Sequence, residues 1–268
     1  MPHVAALYRY PIKGFTPESA ETLTVQADGR IQGDRVLAFR LSSVPEPRVL
    51  EDGSSWWPKQ HLISLQDYPG VARLGMRYDD ASLTVTVTSE GATLVEAGLD
   101  GSGRARLAEA IGDYAKLLPE ARRLREPDAL PLVVEGDGVH ARFQDRPRGF
   151  VTLHGRASLL SLGEALDDPA IDERRFRSNI AVDGLEAWAE LGWAGRRIRV
   201  GEVEFTFENL VIRCLATHAN PETGERDAEV MTTLTRTFGH EQPAFGILML
   251  PSNGGGTIRV GDPVEVLG

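Results

Sequence analysis

The sequence predicts a mainly-β protein of the α+β class, with a β-rich N-terminal part and a few short helices. Three observations predict it. Runs that alternate apolar and polar residues, as half-buried strands do, stand towards both ends of the chain. Gly 28 and Pro 16 in 268 residues favour many turns over long helices. Only three stretches repeat their apolar residues with a helical period.

The elements follow in chain order. A short first strand runs into Tyr10-Pro11-Ile12-Lys13-Gly14. Ser82 to Thr88 alternates, with Leu83, Val85 and Val87 on one face. Leu107, Ile111, Tyr114 and Leu118 share one helical face after a Gly-Ser-Gly entry. The charged stretch Arg122 to Pro131, holding Pro127 and Pro131, divides the chain into residues 1–121 and 122–268. It precedes the strand Leu132-Val133-Val134. A second helix starts at about Ser158, a suitable N-cap, and turns Leu159, Leu162 and Leu166 inward. Arg197 to Phe207 reads as a hairpin turning near Gly201. A third helix carries Val230, Leu234 and Phe238 and ends at Gly239. Ile258 and Val260, a turn at Gly261-Asp262-Pro263, then Val264 and Val266 predict a closing hairpin. Gly254-Gly255-Gly256 precedes a strand and reads as a turn. Between Ser42 and Pro58 lies an irregular stretch with Pro45, Pro47, Gly53 and the pair Trp56-Trp57. The two tryptophans form a lip over a pocket or staple the loop to the core.

Composition removes whole classes of function. A net charge of −10 argues against a nucleic-acid binder that works by phosphate neutralisation. It leaves room for a local basic pocket. No stretch approaches the roughly 18 apolar residues of a membrane span, and the N-terminus lacks the form of a signal peptide. One cysteine cannot form an internal disulfide, so a cytoplasmic location is expected. Zinc spacing, a nucleophile elbow, a P-loop and a dinucleotide fingerprint are all missing from the sequence.

That one cysteine, Cys214, is either a small buried hydrophobe or a single soft ligand or nucleophile. On a strand its neighbour Arg213 points to the opposite face, unless a bulge or strand end intervenes. Isolated cations stand in similar strand-edge settings: Lys13, Arg35 and Arg177. Each alone reads as a surface charge or ion pair. Together they suit an anionic ligand, which Arg meets bidentately and Lys as a point charge. Trp188 and Trp193 read as core, His218 and His240 as satisfied polar residues, and Glu222 and Glu225 as solvated turn residues.

These segments, taken in order, resemble one family. Tyr10-Pro11-Ile12-Lys13-Gly14 and Gly33-Asp34-Arg35 come first, then Arg175-Phe176-Arg177-Ser178-Asn179. Ile212-Arg213-Cys214 follows with Thr217, then Asn220-Pro221-Glu222-Thr223-Gly224-Glu225-Arg226-Asp227. The chain closes on Gly256-Thr257-Ile258-Arg259-Val260-Gly261. This order resembles the MOSC family, the molybdenum-cofactor sulfurase C-terminal domain, in its amidoxime-reducing branch.

The resemblance implies a MOSC-type β-barrel over residues 122–268, preceded by the family's N-terminal β-barrel domain over 1–121. It implies the molybdenum cofactor, a Mo-molybdopterin, with Cys214 as metal ligand and catalytic residue. Lys13 and Arg35 would hold its phosphate end. Arg177 and Asn179 would line the pterin, and Arg213 and Thr217 would flank the metal. Asp145 and His154 fall near another cofactor-contacting strand. The family is also associated with pyridoxal phosphate binding. The implied activity is an oxidoreductase acting on N-hydroxylated or N-oxide-type small molecules. Its electrons would come from a separate donor protein, because the four-cysteine iron–sulfur domain of some relatives is missing. No nucleic acid or membrane partner is expected. Two other readings stand beside this one: a sulfur carrier holding a persulfide on Cys214, and a non-catalytic anion-binding β-barrel. The chain departs from the usual family residues at Gly14, Ser178 and Ile212, each of which removes or alters a polar contact.

Overall fold

The computed structural model describes residues 1–51 and 55–268. Gly53 of the irregular stretch lies outside them. The protein is mainly β, as expected, and its largest element is an eight-stranded sheet.

In spatial order the sheet runs Val264–Leu267, Arg197–Val200, Val203–Ile212, Ala244–Pro251, Val151–Gly155, Ile180–Asp183, His3–Arg9 and Glu18–Ala20. All neighbours are antiparallel except Val151–Gly155 and Ile180–Asp183. That parallel pair needs a crossover, supplied by the helix Arg156–Ala165 (α2, counting the helix Gly101–Lys116 as α1). The sheet does not close as a barrel through a continuous ladder, which corrects the expected β-barrel. The segment leading into Val264–Leu267 meets His3–Arg9, the strand next to the opposite edge, through the bridge between His3 and Pro263 and through a few backbone bonds, among them Val4 N donating to Asp262 O at 2.8 Å.

The hairpin predicted at 197–207 is present, with a two-residue turn at Gly201-Glu202 and Gly201 at φ +58°. The closing hairpin is not. Gly256–Arg259 pairs with Thr22–Val25, while Val264–Leu267 pairs with Arg197–Val200. Periodicity identified both strands but could not identify their partners. The alternating run at 82–88 forms the strand Thr84–Ser89 in a three-stranded antiparallel sheet with Leu74–Asp79 and Ala92–Gly98. Leu83 sits in the preceding turn at φ +51°.

All three helices appear. The first, α1, is capped by Asp100, which accepts from Gly103 N, and buries Leu107, Ile111 and Ala115. Val230–Arg236 is α3. Ser158 is not a cap, because it lies inside α2. Its hydroxyl donates to Glu190 at 2.9 Å and accepts from Trp188 N at 2.8 Å. Glu190, fully buried, also accepts from Gly155 N at 3.1 Å. It places a carboxylate at the positive end of α2, where the helix dipole favours it.

Two cores result. One is filled by residues from Ile12 to Ala141. The other takes Val4, Leu7, Leu23, Val25 and Ile31 together with apolar residues from Val151 to Val264. Trp57 is buried under Arg40, and Trp56 donates its indole N–H to Gln144 O at 3.3 Å. Trp193 is core, as read from the sequence. Among the described residues no helix is long and apolar enough to cross a membrane.

Candidate functional site

The strand Val203–Ile212 carries two register shifts, at Phe207/Asn209 and at Leu210/Ile212, and ends one residue before Arg213. The bulged end lets the two neighbours divide their roles. Arg213 turns inward, while Cys214, half-buried, lines a cavity of about 220 Å³. The Cys214 carbonyl accepts from Thr217 N and from Thr217 Oγ1, both at 3.0 Å. These bonds close the single 3-10 turn Leu215–His218 and fix the backbone that carries the thiol.

The Arg213 guanidinium is anchored entirely on backbone carbonyls. Nε donates to Phe245 O at 2.8 Å and Nη1 to Phe176 O at 2.6 Å; Nη2 also donates to Phe245 O. The rings of Phe176 and Phe245 lie 5.4 and 5.5 Å from its central carbon. Burial lowers its pKa to about 9, which still leaves it cationic at neutral pH. Among the described residues it has no carboxylate partner.

The opposite wall comes from the other end of the chain. Lys13 N donates to Leu37 O at 2.9 Å, which fixes the Tyr10–Gly14 segment. Its buried ammonium donates to Phe143 O at 3.0 Å and pairs with Asp145. Burial pushes the Lys13 pKa down; Lys13, and more weakly Arg35, hold Asp145 well below the carboxylate range. Arg35 and Arg177 both have left-handed backbones, at φ +52° and +51°. Such strain in non-glycine residues tends to collect at functional sites. Both guanidinium groups face the buried Tyr10 ring, at 5.0 and 4.3 Å from its centroid. Arg35 pairs with Asp34, whereas Arg177 donates Nη1 to Phe15 O at 2.5 Å. Burial, reinforced by the charge of Arg35, lowers the Arg177 pKa to about 10.

Lys13, Arg35, Arg177, Arg213, Thr217 and Cys214 therefore line one cavity, together with Asp145. Asn179 does not line it. Its side chain is fully buried and binds Thr152 Oγ1 at 2.9 Å and Tyr8 O at 3.2 Å, which ties three strands behind the wall. His154 is also outside, packed on Phe176 and Phe245, with its ring 3.6 Å from Glu173.

Sequence reasoning missed Lys59, Arg146, Arg148 and Arg175, which also line the cavity. Eight cationic residues thus line it against one acidic residue, Asp145. The signal for two of them was the dense run Asp145-Arg146-Pro147-Arg148. A second wall is apolar: Leu65, Phe150, Leu210, Ile212 and Leu248.

The departure at Gly14 has a structural reason. Gly14 has φ +85°, and a Cβ there would lie 2.5 Å from Ile63 O. The hydroxyl missing at this position has a neighbour in Ser64, which lines the same cavity. Gly14→Ser is expected to destabilise the protein by about 1–3 kcal/mol through the left-handed backbone alone. A thermal unfolding midpoint equal to the parent's would contradict this.

Comparison with known proteins points to one domain family. Residues 141–265 match the MOSC domain model. The mitochondrial amidoxime-reducing component 1 of Homo sapiens is 33% identical over 122 residues, covering 42% of this chain and 35% of that protein. Its Mus musculus counterpart is 34% identical over the same coverage. The molybdenum cofactor sulfurase of Drosophila grimshawi is 37% identical over 121 residues, covering 43% of this chain and 15% of that protein. The matched region is thus about a third or less of the length of these relatives. The domain-model match, residues 141–265, holds Arg146, Arg148, Arg177, Arg213 and Cys214, while Lys13, Arg35 and Lys59 lie outside it. The chain therefore carries a MOSC domain, spanning residues 141–265.

Proposed function

We propose that the cavity is a molybdenum-cofactor site in which the Cys214 thiolate is the metal ligand. In this reading the protein is an oxidoreductase that reduces N-hydroxylated or N-oxide-type small molecules. One observation carries the reading: the only thiol of the chain opens onto a cavity lined by eight cationic residues and one acidic residue, in a protein of net charge −10. The relatives named for amidoxime reduction and for the molybdenum cofactor support it.

The donor set fits the group. A thiolate is a soft ligand suited to a thiophilic metal, and coordination deprotonates it. Arg177, partly buried, and Arg213, buried, are cations satisfied only by carbonyls, so an anionic ligand would relieve charge that the protein leaves unbalanced. When bound, the cofactor supplies two-electron redox chemistry. Lys13, Arg35 and Arg177 hold its anionic end, and the turn closed by Thr217 keeps Cys214 in place. Reducing an N–O bond consumes two electrons and two protons and releases water. Asp145, kept ionised by Lys13, is not the source of those protons. The electrons come from a separate donor protein.

The test is metal analysis of the full chain made in a host that synthesises the cofactor. Molybdenum close to one per chain is expected. A folded protein that contains far less, with cofactor supplied, overturns the reading.

A further inference from the structure

Three of the eight cationic residues lining the cavity are already neutralised. Lys13 pairs with Asp145, Arg35 with Asp34 and Arg175 with Asp227. Lys59, Arg146, Arg148, Arg177 and Arg213 have no carboxylate partner among the described residues. A phosphate-bearing group brings about 1.5 to 2 negative charges at neutral pH. Arg177 meets that group together with the paired Lys13 and Arg35, Arg213 adds its charge from its carbonyl anchors, and the two unpaired charges are enough to balance it. Three positive charges then remain at the mouth, where Arg146 and Arg148 are exposed and Lys59 is partly so.

The backbone carrying the two arginines is pinned on both sides. Phe143 O accepts from Lys13 Nζ at 3.0 Å, and Gln144 O accepts from Trp56 Nε1 at 3.3 Å. Pro147 O, between the two arginines, accepts from Arg30 Nη2 at 3.1 Å. At Gly149 any Cβ would lie 2.4 Å from the Arg30 side chain, so the chain passes close against it. A fixed backbone removes loop ordering from the cost of binding and leaves only that of the arginine side chains, and a concave mouth of one sign concentrates anions of the other.

We propose that Arg146 and Arg148, with Lys59, form a second anion-binding subsite at the mouth. It selects substrates that carry a carboxylate or phosphate remote from the group being reduced, with the apolar wall of Leu210, Ile212 and Leu248 between the two ends. The inference rests on the cofactor reading for calling the bound molecule a substrate; the subsite itself stands on charge and geometry.

The test uses the full chain from a cofactor-synthesising host and two probes, an aryl amidoxime with a para-carboxylate and its methyl ester. Binding is read by calorimetry, and KM is read with reduced methyl viologen as the electron source. The parent is expected to bind the carboxylate more tightly than the ester. The R146A/R148A variant is expected to bind the carboxylate alone about tenfold more weakly and to show an about tenfold higher KM for it, with the loss shrinking in high salt. The R146K/R148K variant should recover most of it. Equal losses for both probes overturn the subsite, as does no loss at all. No loss would instead leave the basic rim as a docking face for an acidic protein. If binding discriminates as expected but neither probe is turned over, the subsite holds and the redox reading fails.

Discussion

The C214S variant is expected to fold like its parent and to lose the thiolate ligand, and with it nearly all activity. The fold has little stake in the sulfur. Cys214 caps the following turn without its side chain, and its contribution there is the carbonyl that receives two bonds from Thr217. Serine retains that carbonyl and nearly the same volume, so the unfolding midpoint should move by less than the equivalent of about 1 kcal/mol. The ligand chemistry does not survive. A hydroxyl is a harder donor, and it does not ionise near neutral pH. Activity on an N-hydroxylated probe should fall by at least about 100-fold, more than the loss of an outer-shell partner gives. Activity assays beside circular dichroism separate the two effects. If the variant keeps the parent's activity on the probe, Cys214 is packing and not the metal ligand.

Arg213→Leu should have the largest effect on stability. The guanidinium satisfies Phe245 O and Phe176 O from a buried position between two rings. Leucine fills part of the space and leaves both carbonyls unsatisfied. Leaving a buried carbonyl without its partner costs about 1–3 kcal/mol, and two are stranded here. Arg213→Lys keeps the charge but offers a point rather than a fork, so it should recover only part of the loss. Denaturant midpoints for the two variants give the order. If leucine is tolerated within about 1 kcal/mol, Arg213 is not the clamp that its bonds describe.

Local signals in the sequence were read correctly where the partner of an element is its neighbour. The hairpin Arg197–Ile212 and the face of α1 are of this kind. The closing hairpin failed because Gly256–Arg259 and Val264–Leu267 each pair with a distant strand. Ser158 failed because Glu190, far along the chain, takes the capping role at α2. The same limit shaped the site. Lys13, Arg35, Arg177 and Cys214 came from motif order. Lys59, Arg146 and Arg148 join them only through folding and sit in no quoted motif. Asn179 lies two residues from Arg177 but behind the wall, because the chain has by then turned into the strand Ile180–Asp183.

The strand His3–Arg9 has a consequence for how the chain is made. It lies between Glu18–Ala20 and Ile180–Asp183, and His3 pairs with Asp183. During synthesis one edge is matched early by a neighbour. The other waits until more than two thirds of the chain has left the ribosome. Val4 and Leu7, fully buried in the finished core, have no such cover in the interval. Pairing of this range is slow and leaves strand edges open to other chains. Recovery of active protein should therefore depend on expression rate and temperature more steeply than on the stability of the folded state.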